Sequence, residues 1–118
     1  MEPIQLNDLV ISEQTDSGVR IIKFSGRITN SNSYELNHNF QKILDDENYN
    51  IIIDLSELEY VNSTGVAIIF TLFYKATEKN GQVCIGGVHP FLNKVFSLMS
   101  LPDGLKVHND LKSAISSY

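Results

Sequence analysis

The residues best suited to chemistry are two adjacent hydroxyls, Ser63 and Thr64, which stand between Asn62 and Gly65. An apolar stretch follows them directly, and the pattern predicts a helix over about 64–79 that begins at this pair. One role for Ser63 is to cap that helix by accepting a hydrogen bond from a first-turn N–H, which contributes about 1 kcal/mol. The other role for either hydroxyl is to accept a phosphoryl group, because a helix N-terminus tolerates an anion.

Phosphorylation at this position is expected to switch binding rather than folding. A phosphate adds roughly −1.5 to −2 charge at pH 7, and a partner surface matched to a neutral hydroxyl rejects that charge. Gly65 fits both roles, since it gives the backbone freedom or lets a partner approach closely. The residues alone leave the cap and the switch as open alternatives.

Other combinations of reactive side chains carry less chemistry. A Ser/His/Asp triad could be assembled from Ser63, His89 and Asp54, but the Gly-x-Ser-x-Gly pattern is absent. Asp54 lies within an apolar run and is expected to be a hydrogen-bonded structural residue. The remaining histidines, His38 and His108, are far from His89 in sequence and show no metal-ligand spacing. We therefore predict no catalytic residue, no metal and no cofactor, and a protein that is not an enzyme.

Composition narrows the classes of partner. The chain has 118 residues, 42% of them hydrophobic, and a formal net charge of −5, which predicts one domain over 1–118. The basic residues are scattered, which argues against binding to nucleic acid or to an anionic membrane surface. No signal peptide and no apolar run near the roughly 20 residues of a membrane span are visible. We expect a cytoplasmic protein without membrane insertion, in which the single cysteine, Cys84, is buried.

The elements that must position the hydroxyl pair alternate along the chain. The predicted strands cover 9–13, 19–25, 51–55, 82–85 and 105–107, and the predicted helices begin near 30–33, 64, 90 and 109–110. Gly26 is expected to end the second strand, and 56–62 to form the connection into the second helix. The order β-β-α-β-α-β-α-β-α predicts an α/β fold with a mixed, mostly parallel five-stranded sheet flanked by four helices.

Three segments together resemble a known family. They are 24–28 (FSGRI), 52–58 (IIDLSEL) and 60–66 (YVNSTGV). Their order and spacing are similar to those of the STAS domain, the family of anti-sigma-factor antagonists and related regulatory modules. The resemblance spans nearly the whole chain, so the fold it implies is a single STAS-like domain.

The resemblance also implies a function. In that family a Ser or Thr at the start of this helix is phosphorylated by a partner that is both a GHKL-type serine kinase and an anti-sigma factor. The unphosphorylated form binds this partner and releases a sigma factor, and a serine phosphatase resets the cycle. The matching phosphoacceptor positions are Ser63 and Thr64. The positions implied for partner binding are Thr29, Asn30, Ser31, Asn62, Gly65 and Val66.

The chain departs from the family pattern at two of these positions. The family often has Asp where this chain has Asn62 and where it has Thr29. Both missing carboxylates lie where an anionic surface would help to place a kinase and its nucleotide metal. The alternative function is therefore a constitutive STAS interaction subunit of a transporter or stress-signalling complex, which is not phosphorylated. For either function we expect the loop from Thr29 to Ser33 to lie beside the hydroxyl pair, because both follow the ends of neighbouring strands.

Overall fold

Six strands and four helices follow one another in the computed structural model, which describes residues 2–118. The strands are β1 (Ile4–Leu6), β2 (Leu9–Asp16), β3 (Val19–Ile28), β4 (Asn50–Val61), β5 (Gln82–Val88) and β6 (Lys106–His108). The helices are α1 (Ser33–Leu44), α2 (Ser63–Glu78), α3 (Pro90–Leu98) and α4 (Leu111–Ser116). None of the helices in this part of the chain is long and apolar enough to cross a membrane.

The strands form one mixed sheet in the order β1-β2-β3-β4-β5-β6. The pairs from β1 to β3 are antiparallel and the pairs from β3 to β6 are parallel. The α/β class, the mixed sheet and the four helices are as predicted. The predicted number of five strands is corrected to six, because a three-residue strand at the N-terminus, pairing Ile4 with Ile11, is too short to show a periodic pattern.

Each face of the sheet has its own apolar core. The larger core lies under α1, α2 and α3, where Phe24 of β3 packs edge-on against Phe40 of α1. The smaller core lies on the opposite face under α4 and includes Ile52, Cys84 and Ala114. Burial of β4 on both faces explains its continuous apolar run, which is typical of a central parallel strand.

Two central strands are longer than the sequence predicted. β3 continues through Gly26 to Ile28, and β4 continues through the expected connection to Val61. Gly26 does not end its strand. It has φ +107° and lies so close to the backbone carbonyl of Asp8 that a Cβ has no room there. The register between β3 and β4 shifts on either side of it, which is the signature of a β-bulge.

A buried arginine fixes the far end of α1. Arg20 of β3 forms a two-pronged ion pair with Glu13, with N–O distances of 2.8 and 2.9 Å. Its remaining nitrogen donates to the carbonyls of Ile43 and Asn48 at 2.9 and 3.1 Å. The side chain therefore satisfies one carbonyl in the last turn of α1, where a positive charge is favourable, and one in the loop that follows.

Candidate functional site

The ends of β3 and β4 bring the two predicted loops together. The backbone N–H of Asn62 donates to the carbonyl of Ile28 at 3.0 Å, so α2 starts beside the point where β3 gives way to α1. Across this junction, Asn62 Nδ2 donates to Asn30 Oδ1 at 3.1 Å. The β3–α1 loop and the start of α2 therefore share one edge of the sheet, at the carboxyl ends of the parallel strands, as the element order predicts.

The cap of α2 is Asn62. Its backbone is extended, with φ −82° and ψ 174°, and its Oδ1 accepts from the N–H of Gly65 at 2.8 Å. Ser63 is the first residue inside the helix, so the predicted capping role of Ser63 is wrong by one position. Asn and Ser are nearly equal as capping residues, which is why two such neighbours could not be told apart by type.

Because Asn62 is the cap, the hydroxyls of Ser63 and Thr64 take no part in capping α2. Ser63 and Thr64 are both exposed, and neither hydroxyl has a hydrogen-bond partner within residues 2–118. The cap uses the N–H of Gly65, and the N–H of Val66 donates to the carbonyl of Asn62 at 3.1 Å. The N–H groups of Ser63 and Thr64 have no such partner in the described chain, which leaves partial positive charge beside both hydroxyls.

The β3–α1 loop is held in shape by a buried amide. Asn32 accepts from the N–H of Thr29 at 3.0 Å and donates to the carbonyls of Leu6 and Arg27 at 3.1 and 2.9 Å. The hydroxyls of Thr29 and Ser31 lie 2.8 Å apart and share a hydrogen bond. These hydrogen bonds fix the backbone of the β3–α1 loop, and with it the positions of the loop's exposed side chains.

Two open grooves flank the start of α2. The first has a volume of about 450 Å³, and its lining includes four of the positions implied for partner binding. The lining residues are Arg27, Thr29, Asn30, Ser31, Tyr60 and Asn62. The second groove, about 370 Å³, runs between α1 and α2 and has Thr64 and Tyr34 in its wall. The hydroxyl pair therefore stands between two concave surfaces.

Two of the positions implied for partner binding, Gly65 and Val66, are buried. Val66 is 7% exposed and packs inward, so its side chain contributes to the core. Gly65 is also buried, and a Cβ there would lie 2.6 Å from Val61 Cγ2 and 2.7 Å from Ile28 Cγ2. The glycine allows α2 to start close to the ends of β3 and β4. Internal packing is therefore sufficient to explain a glycine at this position.

One exposed pair at this edge was missed by the sequence reasoning. The guanidinium of Arg27 lies over the ring of Tyr60, with Cζ 5.1 Å from the ring centroid. Gly26 pairs with Leu58 and Arg27 pairs with Tyr60, so Glu59 of β4 is the extra residue between the two pairs, and Arg27 and Tyr60 lie opposite each other. The sequence shows Arg27 after Gly26 in the segment 24–28. It does not show that Tyr60 lies opposite Arg27, because that depends on the register between β3 and β4.

The residues of the hypothetical triad do not form one. Asp54 is buried within β4, and its Oδ1 accepts from the N–H and the hydroxyl of Ser56 at 3.0 and 2.7 Å. His89 accepts from the N–H of Phe91 through Nδ1 at 3.2 Å and stacks on that ring. Each side chain is engaged locally, and neither is hydrogen-bonded to Ser63 or to the other.

The side chain of Glu57 in β4 is exposed and contacts two neighbours in β3. Lys23 Nζ lies 2.9 Å from Glu57 Oε2, and the hydroxyl of Ser25 donates to the same oxygen at 3.2 Å. The hydrogen bond and charge of Lys23 lower the pKa of Glu57 below its ordinary value.

Comparison with known proteins defines the family. The sequence profile described as the STAS domain matches residues 11–114, and the chain therefore belongs to this family. It is 19% identical over 101 residues to BtrV of Bordetella bronchiseptica, a protein provisionally named an anti-sigma factor antagonist, with 86% of this chain and 87% of that protein covered.

Solved structures share the fold. An anti-sigma factor antagonist from Mycobacterium paratuberculosis superposes with a TM-score of 0.77 at 22% identity, covering 97% of each chain. The anti-sigma factor antagonist SpoIIAA in its unphosphorylated form gives a TM-score of 0.65 at 15% identity, covering 91% of this chain and 96% of that one. At these identities the likeness establishes the fold alone.

Proposed function

We propose that this protein is an anti-sigma factor antagonist, a cytoplasmic binding protein controlled by phosphorylation of Ser63 or Thr64 and not an enzyme. The observation that carries the proposal is the pair of exposed hydroxyls at the start of α2, released from capping by Asn62. Membership of the STAS family and the names of its relatives support an anti-sigma factor as the partner. We further propose that this partner is also a GHKL-type serine kinase.

The modification is a phosphoryl transfer from the kinase's ATP. A bond forms between the serine or threonine oxygen and the γ-phosphorus, while the bond from that phosphorus to the β–γ bridging oxygen breaks. ADP leaves with that oxygen, and the hydroxyl proton passes to a base of the kinase or to water. Both acceptor oxygens are accessible in this structure without any movement of the helix, because both residues are exposed in the first turn.

The phosphate is expected to act on binding and to leave the fold intact. The first turn of α2 contains no acidic side chain, and the N–H groups of Ser63 and Thr64 lie next to the new anion. The partner, by contrast, meets a dianionic group where the unmodified protein presents two neutral hydroxyls. Release of the partner follows from that mismatch, and a serine phosphatase restores the binding form.

The proposal is tested with purified components. The chain is incubated with Mg-ATP and each GHKL-type anti-sigma kinase of its native host, and the phosphate is located by mass spectrometry of the peptides. We expect one phosphate per chain at Ser63 or Thr64, and none when both are replaced by Ala. The matched control is the exposed Thr71 of α2, whose hydroxyl donates to the carbonyl of Ala67 at 2.8 Å; Thr71→Ala should leave phosphate uptake unchanged.

Binding without phosphate uptake would support the alternative, a constitutive interaction subunit. Absence of both binding and phosphate uptake with every kinase in the panel would reject the antagonist function.

A further inference from the structure

Arg27 presents an unpaired cation at the edge of the functional surface. The side chain is exposed, and within residues 2–118 it forms neither a salt bridge nor a side-chain hydrogen bond. Its guanidinium is nevertheless held in place by the ring of Tyr60, 5.1 Å away, which is itself 43% exposed. The other arginine, Arg20, is fully engaged inside the fold. One face of the Arg27 guanidinium therefore lies against Tyr60, while its N–H donors stay available.

The groove that Arg27 lines contains no other charged side chain. The groove that it shares with Asn30 and Asn62 is lined otherwise by Thr29, Ser31 and Tyr60, all of which are uncharged. A planar guanidinium in neutral surroundings is suited to bidentate recognition of a carboxylate. Arginine and tyrosine are also the residue types enriched among those that dominate interface energies. The protein as a whole is acidic, with a net charge of −5.

We propose that Arg27 is a specificity determinant of partner binding, and that it receives a carboxylate side chain of the anti-sigma factor in the groove beside Asn62. This inference rests on the proposed function, which supplies the partner class. It adds the chemistry of the contact: an Asp or Glu of the partner accepts two hydrogen bonds from the guanidinium, while Tyr60 keeps the guanidinium in the receiving orientation. Arg27 thus contributes affinity separately from the hydroxyls, which carry the switch.

The test measures the Kd of the unphosphorylated protein for the kinase that phosphorylates it, by isothermal titration calorimetry at low and at physiological salt. Arg27→Gln is expected to weaken binding about 10- to 100-fold, the loss of a charge-assisted bidentate contact. Arg27→Lys keeps the charge but loses the planar guanidinium that makes two parallel hydrogen bonds. Its Kd should therefore lie between those of the wild type and Arg27→Gln. The salt dependence of binding should be smaller for Arg27→Gln than for the wild type.

Lys42→Gln is the matched control, because Lys42 is an exposed cation in the last turn of α1, away from the loop edge. Its removal changes the net charge equally and should leave the Kd within twofold. Thermal unfolding of each variant shows whether the fold is intact. A double-mutant cycle should then find one acidic residue of the partner whose neutralisation costs nothing further in Arg27→Gln.

Three outcomes overturn the inference. If Arg27→Gln binds as tightly as Lys42→Gln while the wild type binds and is phosphorylated, Arg27 is not a determinant and the proposed function stands. If the effect of Arg27→Gln appears only with nucleotide bound to the kinase, the anion is a nucleotide phosphate and not a carboxylate. If no kinase binds or phosphorylates the wild type, the proposed function fails and this inference fails with it.

Discussion

The side-chain oxygen of Asn62 lies 2.8 Å from the backbone nitrogen of Gly65 and closes the first turn of α2. The nitrogen of the same amide donates to Asn30 Oδ1 at 3.1 Å. A single asparagine therefore caps the helix and ties it to the neighbouring loop. Aspartate could supply the cap but could not donate the second hydrogen bond. The amide is thus suited to holding two parts of a neutral surface in a fixed relation.

The first prediction separates the cap from the hydroxyl. Asn62→Ala should lower the free energy of unfolding by about 1 kcal/mol, within roughly 0.5–2 kcal/mol, because Gly65 loses its acceptor. Ser63→Ala should change it by less than about 0.5 kcal/mol, because that hydroxyl makes no hydrogen bond in the described chain. Urea unfolding followed by circular dichroism measures both. If Ser63→Ala lowered the free energy of unfolding as much as Asn62→Ala, Ser63 would contribute to the cap and the prediction would be wrong.

The second prediction concerns Gly26, which lies against the backbone of Asp8. Gly26→Ala places a methyl group against the carbonyl of Asp8 at φ +107°, whereas Gly18→Ala at φ +81° meets no atom within 4 Å. Gly18→Ala should cost about 1–2 kcal/mol, the penalty of a left-handed conformation. Gly26→Ala should cost roughly 1–3 kcal/mol more, because overpacking against backbone is added. If chemical denaturation gave the same loss of unfolding free energy for Gly26→Ala and Gly18→Ala, the contact with Asp8 would add no cost and the prediction would be wrong.

The third prediction concerns the single thiol. Cys84 is buried in the smaller core, and burial raises the pKa of its thiol above the ordinary value. The native protein should therefore react slowly with iodoacetamide at pH 8 and rapidly once unfolded, as followed by mass spectrometry. Because the pKa is higher in the folded state, the thiol's contribution to stability is complete below the pKa of the unfolded thiol. It is lost as the pH rises through the folded value. Rapid alkylation of the native protein would show that the α4 side opens readily.

The fold was largely accessible from the sequence because periodicity reports which residues face a core. The apolar run of β4 and the spacing in α1 identified a central strand and a covering helix. The extension of β4 was missed because its polar residues were interpreted as a connection. Leu58 is in fact buried between exposed Glu57 and Glu59, a period-two alternation that is typical of a strand with one covered face.

Only part of the candidate site could be predicted from the sequence. The meeting of the two loops followed from topology, since parallel neighbouring strands end at the same edge. The sequence did not identify the cap, because the adjacent residues Asn62 and Ser63 are both of types that cap helices well. The pairing of Arg27 with Tyr60 depends on a register shift between β3 and β4 that leaves Glu59 without a partner on β3. Contacts of that kind arise from tertiary packing and leave no local pattern.

The central claim is that phosphate on Ser63 or Thr64 controls binding and leaves the fold unchanged. The most direct measurement compares the phosphorylated and unphosphorylated forms of the wild type for their Kd with the anti-sigma kinase, alongside their unfolding free energies. We predict that phosphorylation weakens binding by about 5- to 150-fold, a coupling of about 1–3 kcal/mol. The unfolding free energies should agree within about 1 kcal/mol, because the anion lies at a helix N-terminus. Equal affinity of the two forms, with the phosphate verified by mass spectrometry, would contradict the claim.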